Sequence, residues 1–197
     1  MLEMLTESPL TPSSTLGPYR AADYMSLPDE PRCELIYGRL YVSPSPNLVH
    51  QLVVVHLLVA VHRLALQTGG LAFIAPLDVT LAEHSVVQPD VLYVSPARRG
   101  ILKNRIEGAP DVVVEVLSGS TARRDRGEKM RLYASSGVVE YWVVDPVARQ
   151  VEFLVNEHGR FVVEMPQDGV YTSRKVDGLS LDVAELWSAV DARLGLT

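Results

Sequence analysis

The chain has 197 residues, 47% of them hydrophobic, with 18 Lys and Arg against 24 Asp and Glu for a formal net charge of −6. That length and composition fit one globular domain with a real interior and exclude a chain disordered throughout. The acidic balance also excludes broad nonspecific attraction to a polyanion, so nucleic-acid contact requires a local basic patch.

Cys33 is the single cysteine. It excludes an intrachain disulfide framework and a cysteine-based zinc cluster, and the expected location is cytoplasmic. Residues 1–18 carry Pro9, Pro12 and Pro18 among Ser and Thr, which predicts a flexible arm, and residues 19–197 are expected to form a single domain. The opening lacks the basic start and long apolar segment of a secretion signal. No apolar run approaches the roughly eighteen residues of a membrane span, so no membrane partner is expected.

Residues 19–27 suit a short helix. CELIYGRLYV then reads as one or two strands turning at Gly38. NLVHQLVVVHLLVAVHRLALQ starts at the capping residue Asn47 and runs to Gly69-Gly70. Its valines favour a strand, but its length favours a helix. LAFIAPLDVTL, VVQPDVLYV and DVVVEVL read as neighbouring sheet strands. Thr121 to Ser135 suits a helix closed by Gly137, and VEYWVVDP is a buried strand ended by Pro146. RQVEFLVNEHGRFVVEM is a hairpin whose loop lacks the tight two-residue signature. The tail places Val183, Leu186, Trp187, Val190 and Leu194 on one helical stripe. Helices and strands in this order predict an α/β fold, a mixed central sheet flanked by helices.

Glu115 lies inside a very apolar strand, where an unpaired carboxylate is costly, and Asp90 begins the strand DVLYV. Brought together on neighbouring strands, two carboxylates repel unless a cation or shared proton intervenes. A hard divalent cation answers that need, since Mg²⁺ takes oxygen ligands and keeps several waters, and Mn²⁺ can use the same set. Such an ion orients water and offsets phosphoryl charge, which is the chemistry of phosphodiester hydrolysis. The alternative is structural, with Asp90 capping a strand and Glu115 paired to a basic side chain.

Glu34 is a third acidic candidate, Asp78 a fourth, and Asp111 a lesser one on the same strand parity as Glu115. Lys129, on the following helix, could fold back onto the carboxylates or pair with Asp125 four residues earlier. Arg123, Arg124 and Arg126 crowd the start of that helix and are candidate phosphate contacts. Arg98, Arg99, Lys103 and Arg105 form a basic loop that suits either a phosphate backbone or solvent. His50, His56 and His62 are six residues apart, about 240° on a helix, and cannot form one ligand cluster. His50 alone could touch the pocket. Trp142 and Tyr141 fall on opposite faces of a strand and suit packing better than base stacking. Phosphate-loop, serine-hydrolase and HExxH motifs are absent.

CELIYGRLYVSPSPNLVHQ, PLDVTL, QPDVLYV and APDVVVEVLSGSTARRDRGEKMRLYASSGVVEYWVVDP, in this order and spacing, resemble the Uma2 family over residues 19–163. Members of that family look like PD-(D/E)XK nucleases, which implies a restriction-endonuclease-like fold. The resemblance marks Glu34, Asp90 and Glu115 as the acidic site residues, with Asp90 and Glu115 as metal ligands. The usual lysine two positions beyond the strand acid is Leu117 here, and leucine can neither activate water nor stabilise an anion. The resemblance suggests Lys129 as the displaced amine, and Gln88 is a weaker polar contributor. The expected function is a Mg²⁺-dependent endonuclease acting on DNA, with RNA a less favoured substrate and a homodimer as the possible assembly. The alternative is a noncatalytic nucleic-acid-binding or assembly domain that retains the nuclease scaffold.

Overall fold

The structure, a computed structural model, describes residues 16–195. Residues 1–15 of the expected arm lie outside the described residues, and its end is tied down, Gly17 N–H donating to Tyr37 O at 2.7 Å.

Helix α1 (Ala21–Tyr24) leads into the hairpin β1 (Cys33–Ile36) and β2 (Arg39–Val42), then the long helix α2 (Leu48–Thr68). Strands β3 (Leu71–Ile74), β4 (Val79–Ala82), β5 (Ser85–Val87) and β6 (Val91–Val94) follow. A 3₁₀ segment (Pro96–Ile101) and β7 (Ile106–Glu107) then precede β8 (Val112–Val116). A helical stretch combines α3 (Ala122–Arg124), a π-helical turn (Asp125–Lys129) and α4 (Met130–Ser136). β9 (Glu140–Asp145), the hairpin β10 (Gln150–Glu157) and β11 (Arg160–Glu164), the ribbon β12 (Val170–Thr172) and β13 (Ser180–Asp182), and α5 (Val183–Leu194) complete the fold.

The strands form two larger sheets. One is six-stranded in the order β11-β10-β9-β8-β6-β3, antiparallel except for the parallel pair β8 and β9; the other runs β2-β1-β5-β4-β7. The expected mixed sheet with flanking helices is present, but LAFIAPLDVTL and VVQPDVLYV each divide between the two sheets. The chain changes sheet at Pro76 and again at Gln88-Pro89-Asp90. The cause is local, since proline supplies no N–H to a ladder and is confined to strand ends and corners.

Asn47 caps α2 by accepting from His50 N–H at 2.9 Å, and Gly69 ends it at φ 73°. Val53, Leu57, Val61 and Leu64 of α2 pack with Val114, Trp142 and Val190 in one core. Each buried aliphatic contributes roughly 1.5–3 kcal/mol. This burial at helical spacing overrides the strand preference of the valines. α2 also corrects the reading that no apolar run approaches a membrane span: an 18-residue window of this 21-residue helix reaches a mean hydropathy of 1.7, enough by length and composition alone to cross a membrane. Single histidines hid that run, and in the fold its buried stripe is a core face.

The second core lies on the other face of β8, where Val113, Leu117, Leu132, Tyr133 and Tyr141 meet. Tyr141 and Trp142 occupy opposite faces as their alternation predicts. The β10–β11 loop corrects the sequence reading. His158 (φ 55°) and Gly159 (φ 83°) make a two-residue turn, both left-handed, and Asn156 Oδ1 accepts from Gly159 N–H at 2.9 Å.

Glu140 is fully buried at the start of β9, accepting from Trp142 Nε1 at 3.1 Å, Tyr171 Oη at 3.0 Å and the Ser173 hydroxyl. It fastens the β12 ribbon to the six-stranded sheet. Burial pushes its carboxyl above an ordinary glutamate's 4.5, although the donors around it work the other way. A raised carboxyl stabilises below the unfolded pKa and loses that contribution as pH rises through the folded one. Glu140→Ala is expected to cost about 2–4 kcal/mol in urea unfolding by orphaning three donors. Glu140→Gln should gain on wild type as the pH of the titration is raised above the ordinary carboxylate range.

Candidate active site at the seam between the sheets

The acidic residues converge where the two sheets part. Val91 is opposite Val114 in the β6–β8 register, so the next position places Asp90 opposite Glu115. Alternation along β8 turns Glu115 away from the α2 core and toward the helical stretch that follows. Glu34 arrives from β1 of the other sheet. Together with His50, Lys129 and Asp125 they line one cavity of about 210 Å³.

Lys129 Nζ donates to Glu115 Oε1 at 2.7 Å and to Glu34 Oε1 at 2.9 Å, and lies 3.6 Å from Asp125 Oδ1. Both sequence readings of Lys129 therefore coexist: it faces the strand acid and also its i−4 aspartate. Tyr133 Oη donates to the same Glu115 oxygen at 2.7 Å, and Gln88 N–H donates to Glu34 Oε1 at 2.8 Å. Asp90 Oδ2 accepts from Val116 N–H at 2.8 Å and stands 3.3 Å from His50 Nε2.

Glu34, Glu115, Asp125 and Lys129 are each 2–5% exposed, so three carboxylates share one ammonium out of water. Burial drives Glu115 well above the usual glutamate range, with Lys129 opposing and the neighbouring acids adding to the rise. Asp125 is raised for the same first reason, and its Oδ1 is buried without a hydrogen bond. Burial alone would lower Lys129, but Glu115, Glu34 and Asp125 outweigh it and hold the amine firmly protonated. Burial alone would lower His50, but its bond to Asp90, the charges of Asp90 and Asp125 and the Val116 backbone together outweigh it and raise the imidazole.

Other expected members lie elsewhere. Asp78 is outside this cavity. Its Oδ1 accepts from Tyr24 Oη at 2.8 Å and Gln88 Nε2 at 2.9 Å, because the change of sheet before β4 carries it past the seam. Arg123, Arg124 and Arg126 do not line the cavity either. Arg123 is exposed, Arg124 stacks 4.1 Å above the Tyr41 ring, and Arg126 pairs with Glu152 at 2.6 Å. Their side chains point outward because the buried positions of the turn are Asp125 and Lys129. Asp111 pairs with Arg98 at 3.4 Å and accepts from Ser95 N–H at 2.7 Å. In the basic loop Arg98 also donates to Ala109 O, Arg99 to Gly69 O and Arg105 to the Met25 sulfur, so three of its four cations serve the fold; Lys103 is exposed.

Sequence reasoning missed Tyr133 and Arg32. Tyr133 was within reach of it, lying four residues beyond Lys129 on the same helical face. Arg32, two residues before Glu34, lines the cavity from a polar, proline-rich approach that gives no periodic signal.

Among the described residues no three His, Cys, Asp or Glu side chains form a ready metal cage. The donors nevertheless fit a hydrated Mg²⁺ or Mn²⁺. Asp90 and Glu115 are hard oxygen donors on one cavity, each with an oxygen that accepts no hydrogen bond among the described residues, and Mg²⁺ needs few protein carboxylates. Glu34 is placed similarly, one oxygen serving Lys129 and Gln88 and the other accepting no hydrogen bond among the described residues.

A mixed sheet with flanking helices and acids beside a lysine at the break between strands belongs to the nuclease-like class of α/β folds. A solved structure described as a "putative nuclease belonging to DUF820", from Anabaena variabilis ATCC 29413, shares this fold with a TM-score of 0.73 and 21% identity. The match covers 88% of this chain and 99% of the other. The profile of Uma2, described as "Putative restriction endonuclease", matches residues 21–184, and the chain belongs to that family. No curated protein matches it.

Removing the ammonium would leave three buried acids facing one another. Lys129→Met is expected to lower the unfolding free energy by about 3–5 kcal/mol at neutral pH in chelating buffer. The deficit should shrink as pH falls, since Glu115 and Asp125 take up protons early; calorimetric scans across pH would show it.

Proposed function

We propose that this protein is a divalent-metal-dependent endonuclease that hydrolyses phosphodiester bonds in DNA. The observation that carries the reading is Asp90 and Glu115 in facing register on one cavity, with Lys129 on Glu115. In this reading Asp90 and Glu115 hold Mg²⁺ or Mn²⁺, which supplies positive charge for a phosphoryl oxygen and for the attacking water. Val116 N–H fixes Asp90, and Tyr133 and Lys129 fix Glu115, so both acids are oriented before substrate arrives. Glu34 anchors Lys129 from the opposite sheet. Lys129 can then stabilise charge developing at the cavity, in place of the amine that Leu117 cannot provide.

Glu115→Gln keeps the size of the side chain while removing its charge. It is expected to reduce metal-stimulated cleavage of plasmid DNA at least about 100-fold with the circular dichroism spectrum unchanged. Unaltered cleavage would reject the assignment, and RNA run in parallel tests the choice of DNA.

The second reading, a noncatalytic nucleic-acid-binding domain, draws on Leu117 and the net charge of −6. Metal-dependent DNA binding without turnover by the wild-type protein would favour it.

The homodimer has a candidate surface in this reading. The outward face of α2 carries Leu48 (69% exposed), Val55 (49%), Val59 (45%) and Leu66 (72%), with Leu52 half-buried between them. From Leu48 to Val59 the gaps of four, three and four residues are the heptad spacing of paired helices, with exposed His62 at the next seam position before Leu66. Wild-type protein is expected to sediment as a dimer and the double substitution Val55→Glu with Val59→Glu as a folded monomer.

A further inference from the structure

We propose that the smaller cavity beside the acidic one seats the nucleobase next to the scissile phosphate, read by Asp78, while Arg32 holds the phosphate between the two cavities. This rests on the nuclease reading above and names how its substrate is selected.

The second cavity, about 180 Å³, is lined by Tyr24, Pro28, Arg32, Cys33, Asp78 and Gln88 among others. It is smaller than the roughly 300–1,000 Å³ of drug-sized sites, which suits a single planar ring. Arg32 and Gln88 line both cavities, so the two sites adjoin.

Its polar groups are held in advance. Tyr24 Oη donates to Asp78 Oδ1 at 2.8 Å and lies 3.0 Å from Cys33 O, and Gln88 Nε2 donates to the same Asp78 oxygen at 2.9 Å. Asp78 Oδ2 accepts no hydrogen bond among the described residues, which leaves an oriented acceptor on the cavity. Gln88 connects this network to the acidic cavity, since its own N–H donates to Glu34.

Arg32 is half-buried, and among the described residues its guanidinium has neither an ion pair nor a hydrogen bond. The expected phosphate arginines of the helix face elsewhere, which makes Arg32 the cation placed where a bridging phosphate would pass. A guanidinium fork matches phosphate oxygens in pairs.

A fixed carboxylate oxygen selects bases that offer an amino group. Cytosine presents its N4 amino donor, whereas thymine presents an O4 acceptor that would face Asp78 unpaired. The chemistry therefore favours an amino-bearing base over thymine at this position.

Fluorescence anisotropy with labelled oligodeoxycytidylate and oligothymidylate of about twelve nucleotides tests this, with Ca²⁺ replacing Mg²⁺ to supply an oxygen-seeking ion without turnover. Wild-type protein is expected to prefer cytidylate by about fivefold or more, and folded Asp78→Asn to lose that preference to within about twofold. Arg32→Gln should weaken both oligonucleotides alike by about fivefold and reduce the salt slope by about one. Equal wild-type affinities, binding of neither strand, an Asp78→Asn that still discriminates, or an Arg32→Gln that binds as wild type each overturns the proposal. Should Asp78→Asn fail to fold, the wild-type ranking and Arg32→Gln decide. Cleavage without base preference would sink this inference and leave the nuclease reading standing; preference without cleavage would do the reverse.

Discussion

The ammonium of Lys129, enclosed with Glu34, Glu115 and Asp125, is the interaction on which the site depends. Each acid comes from a different part of the chain: β1 of one sheet, β8 of the other, and the turn that carries the lysine itself. Without the shared cation their mutual repulsion in a dry interior would work against the two sheets closing at this seam. With it, carboxylates stay buried beside an open cavity. In the proposed reading the charge that joins the sheets also serves the chemistry, so folding and function would draw on one cluster.

The cluster is also overcharged. Three acids to one base leaves an excess of negative charge, which adds to the rise that burial gives the carboxyls of Glu115 and Asp125. A protonated carboxyl relieves it at low pH. In the proposed reading a divalent ion on the Asp90 side would relieve it near neutrality, which would couple metal loading to stability.

Much of this was readable from residue patterns, and the exceptions have physical reasons. Asn47 and Gly69 marked α2 because capping chemistry is local. Glu115 stood out because a lone acid in a run of valines must be compensated. Asp90 and Lys129 were candidates from the neighbouring strand and the following helix, and the family resemblance marked them too, since spacing alone cannot show that residues from separate elements meet. Asp78 lies off the acidic cavity because the chain changes sheet at Pro76; the proline marks a break locally, but which sheet the next strand joins is set by long-range pairing. The three arginines do not line the acidic cavity because their outward phase follows from which positions of the π-helical turn are buried, and that is settled by tertiary packing. The tight turn at His158 and Gly159 was missed because His-Gly is not among the dipeptides, Asn-Gly, Asp-Gly and Gly-Gly, that mark a two-residue hairpin. The surrounding ladder and the Asn156 bonds impose it here.

The wide turn from Asp125 to Lys129 bears on how relatives should be compared. A π-helical turn spans a longer hydrogen-bonded loop than an α-helical one, so it accommodates a surplus residue and offsets the helix before it from the helix after it. Tyr133 and Leu132 fix the downstream half in the core. The identity of the side chain set against Glu115 is thus decided by a residue count within this turn. An alignment that carries the helix through without a gap in a relative lacking the surplus would pair Lys129 with the wrong neighbour. It would then score the amine as lost in a protein that retains it.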